Sequence, residues 1–165
     1  MNKSALRDAI LQKLRADLAL LTSAARMARD EAISEESRAE SKWDTHSQEA
    51  AYLAEGQAKL AAELGASIEL YATQPWAQFG PDDVAAVGAV VGLLPAAGAG
   101  TGRKVWYFLG PKAGGIDVLI DGASVLVLTP SSPLGRLLLG KRRGEIVPLP
   151  GRGNKAAPHE ITDVA

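Results

Sequence analysis

Leu6, Ile10, Leu14, Leu18 and Leu21 recur at spacings of three and four, which places them on one stripe of a helix, and Ala24, Ala25, Ala28 and Ala32 continue that stripe with smaller side chains. A second stripe runs Leu53, Gln57, Leu60, Leu64, spaced four, three, four, as in the seam of a coiled coil. No proline precedes Pro75, and Gly56 and Gly65 are the only glycines before it, while Ala, Leu, Glu, Arg and Lys dominate, all good helix formers. The spacing predicts a first helix over residues 3–33, which at ~1.5 Å per residue would reach ~45 Å. Between the stripes apolar periodicity lapses in SEESRAESKWDTHSQEA, where Ser37 with Glu40 and Thr45 with Gln48 match capping-box spacing. The expected arrangement over residues 1–74 is an antiparallel helical hairpin, a short coiled coil whose two stripes bury each other, with its tip at about residues 34–46.

From Pro75 onward the period changes. Short apolar runs, VGAVVGLL, KVWYFLG, IDVLI, SVLVLTP and EIVPL, alternate with turn residues, the pattern of a small antiparallel sheet over residues 75–165. Asp121-Gly122 between two of these runs predicts a two-residue hairpin, since a type I′ turn needs positive φ at both central positions. SPLGRLLLGKRRG breaks the strand period: Pro133 suits a helix start, and Leu134, Leu137 and Leu138 share a face before Gly140. One short helix laid against the sheet is therefore expected. Beyond Arg152 only Ile161 and Val164 hint at a last strand. The fold class is α+β.

Composition narrows the function classes. Lys plus Arg at 18 nearly cancel Asp plus Glu at 19, so no global field steers the chain to nucleic acid or to an anionic membrane. The chain has no cysteine, which removes disulfides, thiol nucleophiles and thiolate zinc sites, and fits a reducing, cytoplasmic compartment. Asp8, Lys13 and Asp17 interrupt any signal-peptide core near the N-terminus. The uncharged run from Val84 to Gly102 contains glycines and Pro95, so it reads as strand plus loop rather than a membrane span. GAGTGRK, residues 98–104, lacks the ending of a phosphate loop and reads as a hairpin connection. The two histidines, His46 and His159, match no metal-ligand or triad spacing. The sequence carries no self-contained active site, no cofactor motif and no stable metal site. Basic residues without interleaved aromatics argue against a nucleic-acid face, and no sequence-specific DNA binding is expected.

SPLGRLLLGKRRGEIV, residues 132–147, resembles the signature near the C-terminus of the GreA/GreB family of transcript cleavage factors, in which Ser-Pro, a Gly and a Leu-Leu-Gly-Lys stretch lead into a strand. KWDTHSQEAAYLAEGQAKL, residues 42–60, looks like the tip and descending helix of a Gre-related branch with a Lys-aromatic-Asp-Thr tip. The two segments occur in the family's order. The resemblance implies a coiled coil that enters the secondary channel of core RNA polymerase and an FKBP-like C-terminal domain that rests on the enzyme. Carboxylates at the tip would then help hold Mg²⁺ and the attacking water in the polymerase's own active site, with indirect contact to nascent RNA. Such a factor needs no cofactor of its own, because a rigid arm can deliver hard oxygen ligands to a metal held elsewhere.

Candidate residues follow from that reading. Asp44 and Glu49 are the tip carboxylates nearest the start of the second helix, with Glu40 in reserve. The same residues also suit plain helix capping, a role for Asp or Thr at any helix start and for Glu in the first turn. Asp44 and Glu49 lie five apart, whereas the cleavage-competent family pattern has Asp and Glu three apart shortly before a Tyr; aligned on Tyr52, those places hold Thr45 and Gln48. Trp43 is a candidate anchor for a channel wall, or a cap folded back on the hairpin end. Arg136, Lys141, Arg142 and Arg143 would face an acidic polymerase surface or form a solvated basic rim. Three other readings stay open: a channel binder without cleavage, an FKBP-like peptide-binding or prolyl isomerase module, and a coiled-coil adaptor.

Overall fold

A computed structural model describes residues 1–33, 46–97, 102–150 and 156–165. The chain is α+β: two long helices, α1 (Lys3–Ile33) and α2 (His46–Thr73), precede six strands and one short helix. These are β1 (Val90–Pro95), β2 (Val105–Leu109), β3 (Asp117–Ile120), β4 (Ala123–Leu128), α3 (Pro133–Leu138), β5 (Ile146–Pro150) and β6 (Ala156–Val164). Its contacts divide it into two compact units, residues 11–73 and residues 1–10 with 74–165.

The helical unit holds most of α1 and all of α2. α1 runs 31 residues with the bounds that its stripe predicts. Burial along the stripe is uneven. Leu14 is fully buried, Leu18 and Leu21 are half-buried, and Ala24 and Ala28 are exposed. On α2, Tyr71 is fully buried and Leu64 half-buried, but Leu53 and Leu60 are 59% and 54% exposed. The two stripes are thus buried only in part, with apolar burial concentrated near Leu14 and Tyr71. The physical reason lies in α1 itself, whose stripe passes from leucine to alanine after Leu21, so each position there has less apolar area to bury. The expected tip, with Glu40, Trp43 and Asp44, falls outside the described residues.

In the second unit the strands form one sheet in the order β3-β4-β2-β1-β6-β5. Every neighbouring pair is antiparallel except β2 and β4, which run parallel with Phe108 opposite Val127. The Asp121-Gly122 hairpin forms as its sequence predicts, with φ of 51° and 78° at the two residues and Ile120 paired to Ala123. The central strand β1 is covered on both faces, which is why VVGL reads as a run and not as an alternation. One face packs Val91, Leu93, Leu109, Val147, Leu149, Ile161 and Val164 with Leu138 of α3. On the other, Phe108 is 1% exposed and stacks on Trp76, with ring centroids 4.7 Å apart. The weakly patterned C-terminal stretch supplies β6, nine residues inserted between β1 and β5 with a register shift opposite Gly92 and Leu93. Among the described residues no helix is long and apolar enough to cross a membrane.

Candidate functional site

The segment from Thr129 to Val147 is built tightly from its first residues. Ser132 is the N-cap of α3: its hydroxyl donates to Thr129 O at 2.8 Å and accepts from Gly135 N at 3.0 Å. Pro133 occupies the first helical position, where a missing N–H costs nothing. Gly135 is buried against Thr129, and a Cβ there would stand 1.9 Å from the Thr129 carbonyl oxygen. Ser-Pro-x-Gly is thus one device: a cap, a pre-set φ and a close backbone approach. It leads directly to the basic residues.

Those bases are partly committed within the chain. Arg136 Nη1 donates to Ser131 O at 2.6 Å and Arg142 Nη1 to Asp82 O at 2.8 Å. Lys141 pairs with Glu145 at 2.8 Å, and Arg142 N donates to the same carboxylate at 2.8 Å. The Lys141 hydrogen bond, followed by that from Arg142, holds the Glu145 carboxyl below its ordinary value. Arg136, Arg142 and Arg143 remain exposed, and each guanidinium carries five N–H donors, so Arg136 and Arg142 keep most of theirs for a partner. Lys141 offers less, its charge being already answered.

Glu49 is exposed and stands in the first turn of α2, where a carboxylate favours the helix's positive end. Tyr52, 76% exposed, follows three residues later on the same face. The structure brings Glu49 and Tyr52 together on that face, while Asp44, Glu40 and Trp43 lie outside the described residues. Among the described residues no cluster of three His, Cys, Asp or Glu side chains could hold a metal ion.

A polar layer that the sequence did not single out crosses β1, β2 and β6. Lys104 pairs with Asp163 and lies over the Trp106 ring, 4.5 Å from its centroid, and Thr162 Oγ1 donates to Asp163 at 2.7 Å. Gly92 makes room for it, because a Cβ there would meet Trp106 Cζ3 at 2.7 Å and Lys104 Cε at 2.8 Å. Burial pushes the Asp163 carboxyl up, but the Lys104 and Thr162 hydrogen bonds with the Lys104 and Arg143 charges outweigh it, leaving the group below its ordinary value. A depressed carboxylate contributes stability that is present above the unfolded value of 3.8 and is lost as pH falls through the lower folded one. Melting of wild type and Asp163→Asn is expected to converge as pH drops from about 5 to about 2, with the wild type more stable only at the upper end. A constant gap across that range would show that the pair adds nothing.

No family model matches the chain, and no curated protein matches it in sequence. Among solved structures, the GreA factor homolog 1 of Thermus thermophilus is 18% identical and covers 94% of each chain at a TM-score of 0.38. The corresponding protein of Thermus aquaticus is 19% identical, covering 93% of this chain and 92% of its own at a TM-score of 0.40. A prokaryotic transcription elongation factor GreA/GreB from Nitrosomonas europaea is 22% identical over 67% of this chain and 79% of its own, at a TM-score of 0.39.

Proposed function

We propose that this chain binds core RNA polymerase through the enzyme's secondary channel and stimulates cleavage of backtracked RNA in the polymerase's own active site. One observation carries the reading: two Gre-like signatures occur in the family's order on different elements, residues 42–60 leading into α2 and residues 132–147 spanning α3 and β5. Two long helices supply the reach, a sheet unit supplies a docking body, and Asp44 with Glu49 would supply oxygen ligands to Mg²⁺ held by the partner. Chemistry of that kind needs only hard anionic ligands on a stiff arm, since the metal and the RNA belong to the polymerase. Arg136, Arg142 and Arg143 would meet acidic residues of the enzyme, steering association more than setting affinity.

The Asp44–Glu49 spacing and the neutral Thr45 and Gln48 favour a second reading, a channel occupant that competes with other factors without promoting cleavage. A backtracked elongation complex incubated with wild-type protein, Asp44→Asn, Glu49→Gln and the double variant decides between them. Expected are displacement of a known channel factor by all four and a loss of RNA release of about a hundredfold in the double variant, the scale of one lost metal-assisting interaction. Binding without any wild-type acceleration over intrinsic cleavage selects the second reading. Absence of binding at micromolar concentration removes both.

A further inference from the structure

The start of α1 carries two cations for which the proposed activity has no use. Lys3 Nζ donates to Ala77 O at 2.5 Å and lies 4.5 Å from the Phe79 ring centroid. Arg7 Nη2 donates to Gln74 O at 2.8 Å, and its guanidinium carbon lies 4.8 Å from the Trp76 centroid. Trp76 in turn rests on the buried Phe108 ring. Both cations are therefore held in place by carbonyls and ring faces, on a floor anchored in the sheet. All these residues belong to the sheet unit.

Their anchors are neutral. Among the described residues Lys13, Lys104 and Lys141 pair with carboxylates, whereas neither Lys3 nor Arg7 has a carboxylate partner there. A cleft of about 260 Å³ opens beside them, lined by Lys3, Ser4, Arg7, Pro75, Trp76 and Gln78, with no acid in the lining. Burial holds the Lys3 ammonium below its ordinary value, as expected of a cation with no counter-charge. Each group has spent one donor of the three on an ammonium and the five on a guanidinium.

We propose that this cleft takes a carboxylate side chain from an acidic peptide segment of a partner protein. The planar guanidinium fork and the adjacent ammonium match a carboxylate. Pro75 and the edge of Trp76 flank the two cations, and the Gln78 amide and Ser4 hydroxyl can meet the flanking peptide backbone. The lining extends from the two cations to Pro75 and Gln78, so a side chain on a peptide meets more of it than free phosphate does. The assignment is independent of the tip acids and of any polymerase.

The full-length ¹⁵N-labelled chain would be titrated with a blocked pentapeptide of glutamate and aspartate, following the Trp76 indole N–H and Arg7 Nε–H resonances. Parallel titrations would use the glutamine and asparagine version of the peptide, and inorganic phosphate at matched ionic strength. Expected is a saturable shift with the acidic peptide below about 1 mM, absent with the neutral peptide and weaker with phosphate. Ser4→Glu and Gln78→Glu, which put a carboxylate into the cleft and leave the Lys3 and Arg7 anchors intact, should each weaken binding at least about tenfold, as should Arg7→Gln. No saturable shift, an equal shift with the neutral peptide, tighter binding of phosphate, or undiminished binding in both glutamate variants would overturn the assignment.

Discussion

Gly135→Ala is expected to cost the sheet unit about 3 kcal/mol or more, from forced overpacking together with a lost helix cap. In most helices the same exchange stabilises by roughly 0.5–1 kcal/mol, because glycine loses more backbone freedom on folding than alanine. Here the sign reverses. The new methyl would lie 1.9 Å from Thr129 O, 2.8 Å from Thr129 C and 2.8 Å from Ser132 Oγ. Two of those contacts are backbone, so no rotamer change relieves them. The displaced carbonyl is also the acceptor of Ser132 N at 3.0 Å and of Ser132 Oγ at 2.8 Å, so moving it unseats the cap that starts α3. Urea unfolding followed by circular dichroism measures the cost. A loss under about 0.5 kcal/mol would mean that the Thr129 turn yields freely, and that the glycine of the signature has no packing role.

Leu138→Ala should remove about 3 kcal/mol, in the middle of the range for truncating a buried leucine. Leu138 has no exposed surface and sits in the cluster with Leu109, Leu128, Val147 and Ile161. Leu134 and Leu137 are half-buried against the same cluster, so alanine at either should cost about half as much, in proportion to the apolar area returned to water. Leu139, 42% exposed, is the internal control, with an expected change within about 0.5 kcal/mol. Equal losses at Leu138 and Leu139 would contradict the way α3 faces the sheet.

Much of this was readable along the chain because it depends on local chemistry. The α1 bounds follow from an unbroken run of helix formers, the β3–β4 turn from Asp121-Gly122, and the α3 start from Ser132-Pro133. In each case neighbouring residues satisfy one another's backbone, and no distant partner is needed. The acids before α2 and the bases after α3 are local in the same sense, as charged side chains grouped by sequence alone.

Other features depended on which distant residues meet. The stripe from Leu6 to Leu21 has one period throughout, yet Leu14 is fully buried and Leu21 only half, because burial needs a partner surface that periodicity does not name. The parallel pairing of β2 with β4 and the insertion of β6 between β1 and β5 are choices of topology: Ile161, Thr162 and Val164 favour a strand, but which strands flank it is decided by burying Ile161 and Val164. Gly92 looks like a weak point in a strand until Trp106 and Lys104, more than ten residues away, are laid over it. Lys3, Arg7 and Trp76 are an ordinary helix start and an ordinary linker when read in order. Amphipathic pattern and turn chemistry are written in neighbouring residues, whereas convergence of charge and the sharing of buried area exist only once the chain has closed its long loops.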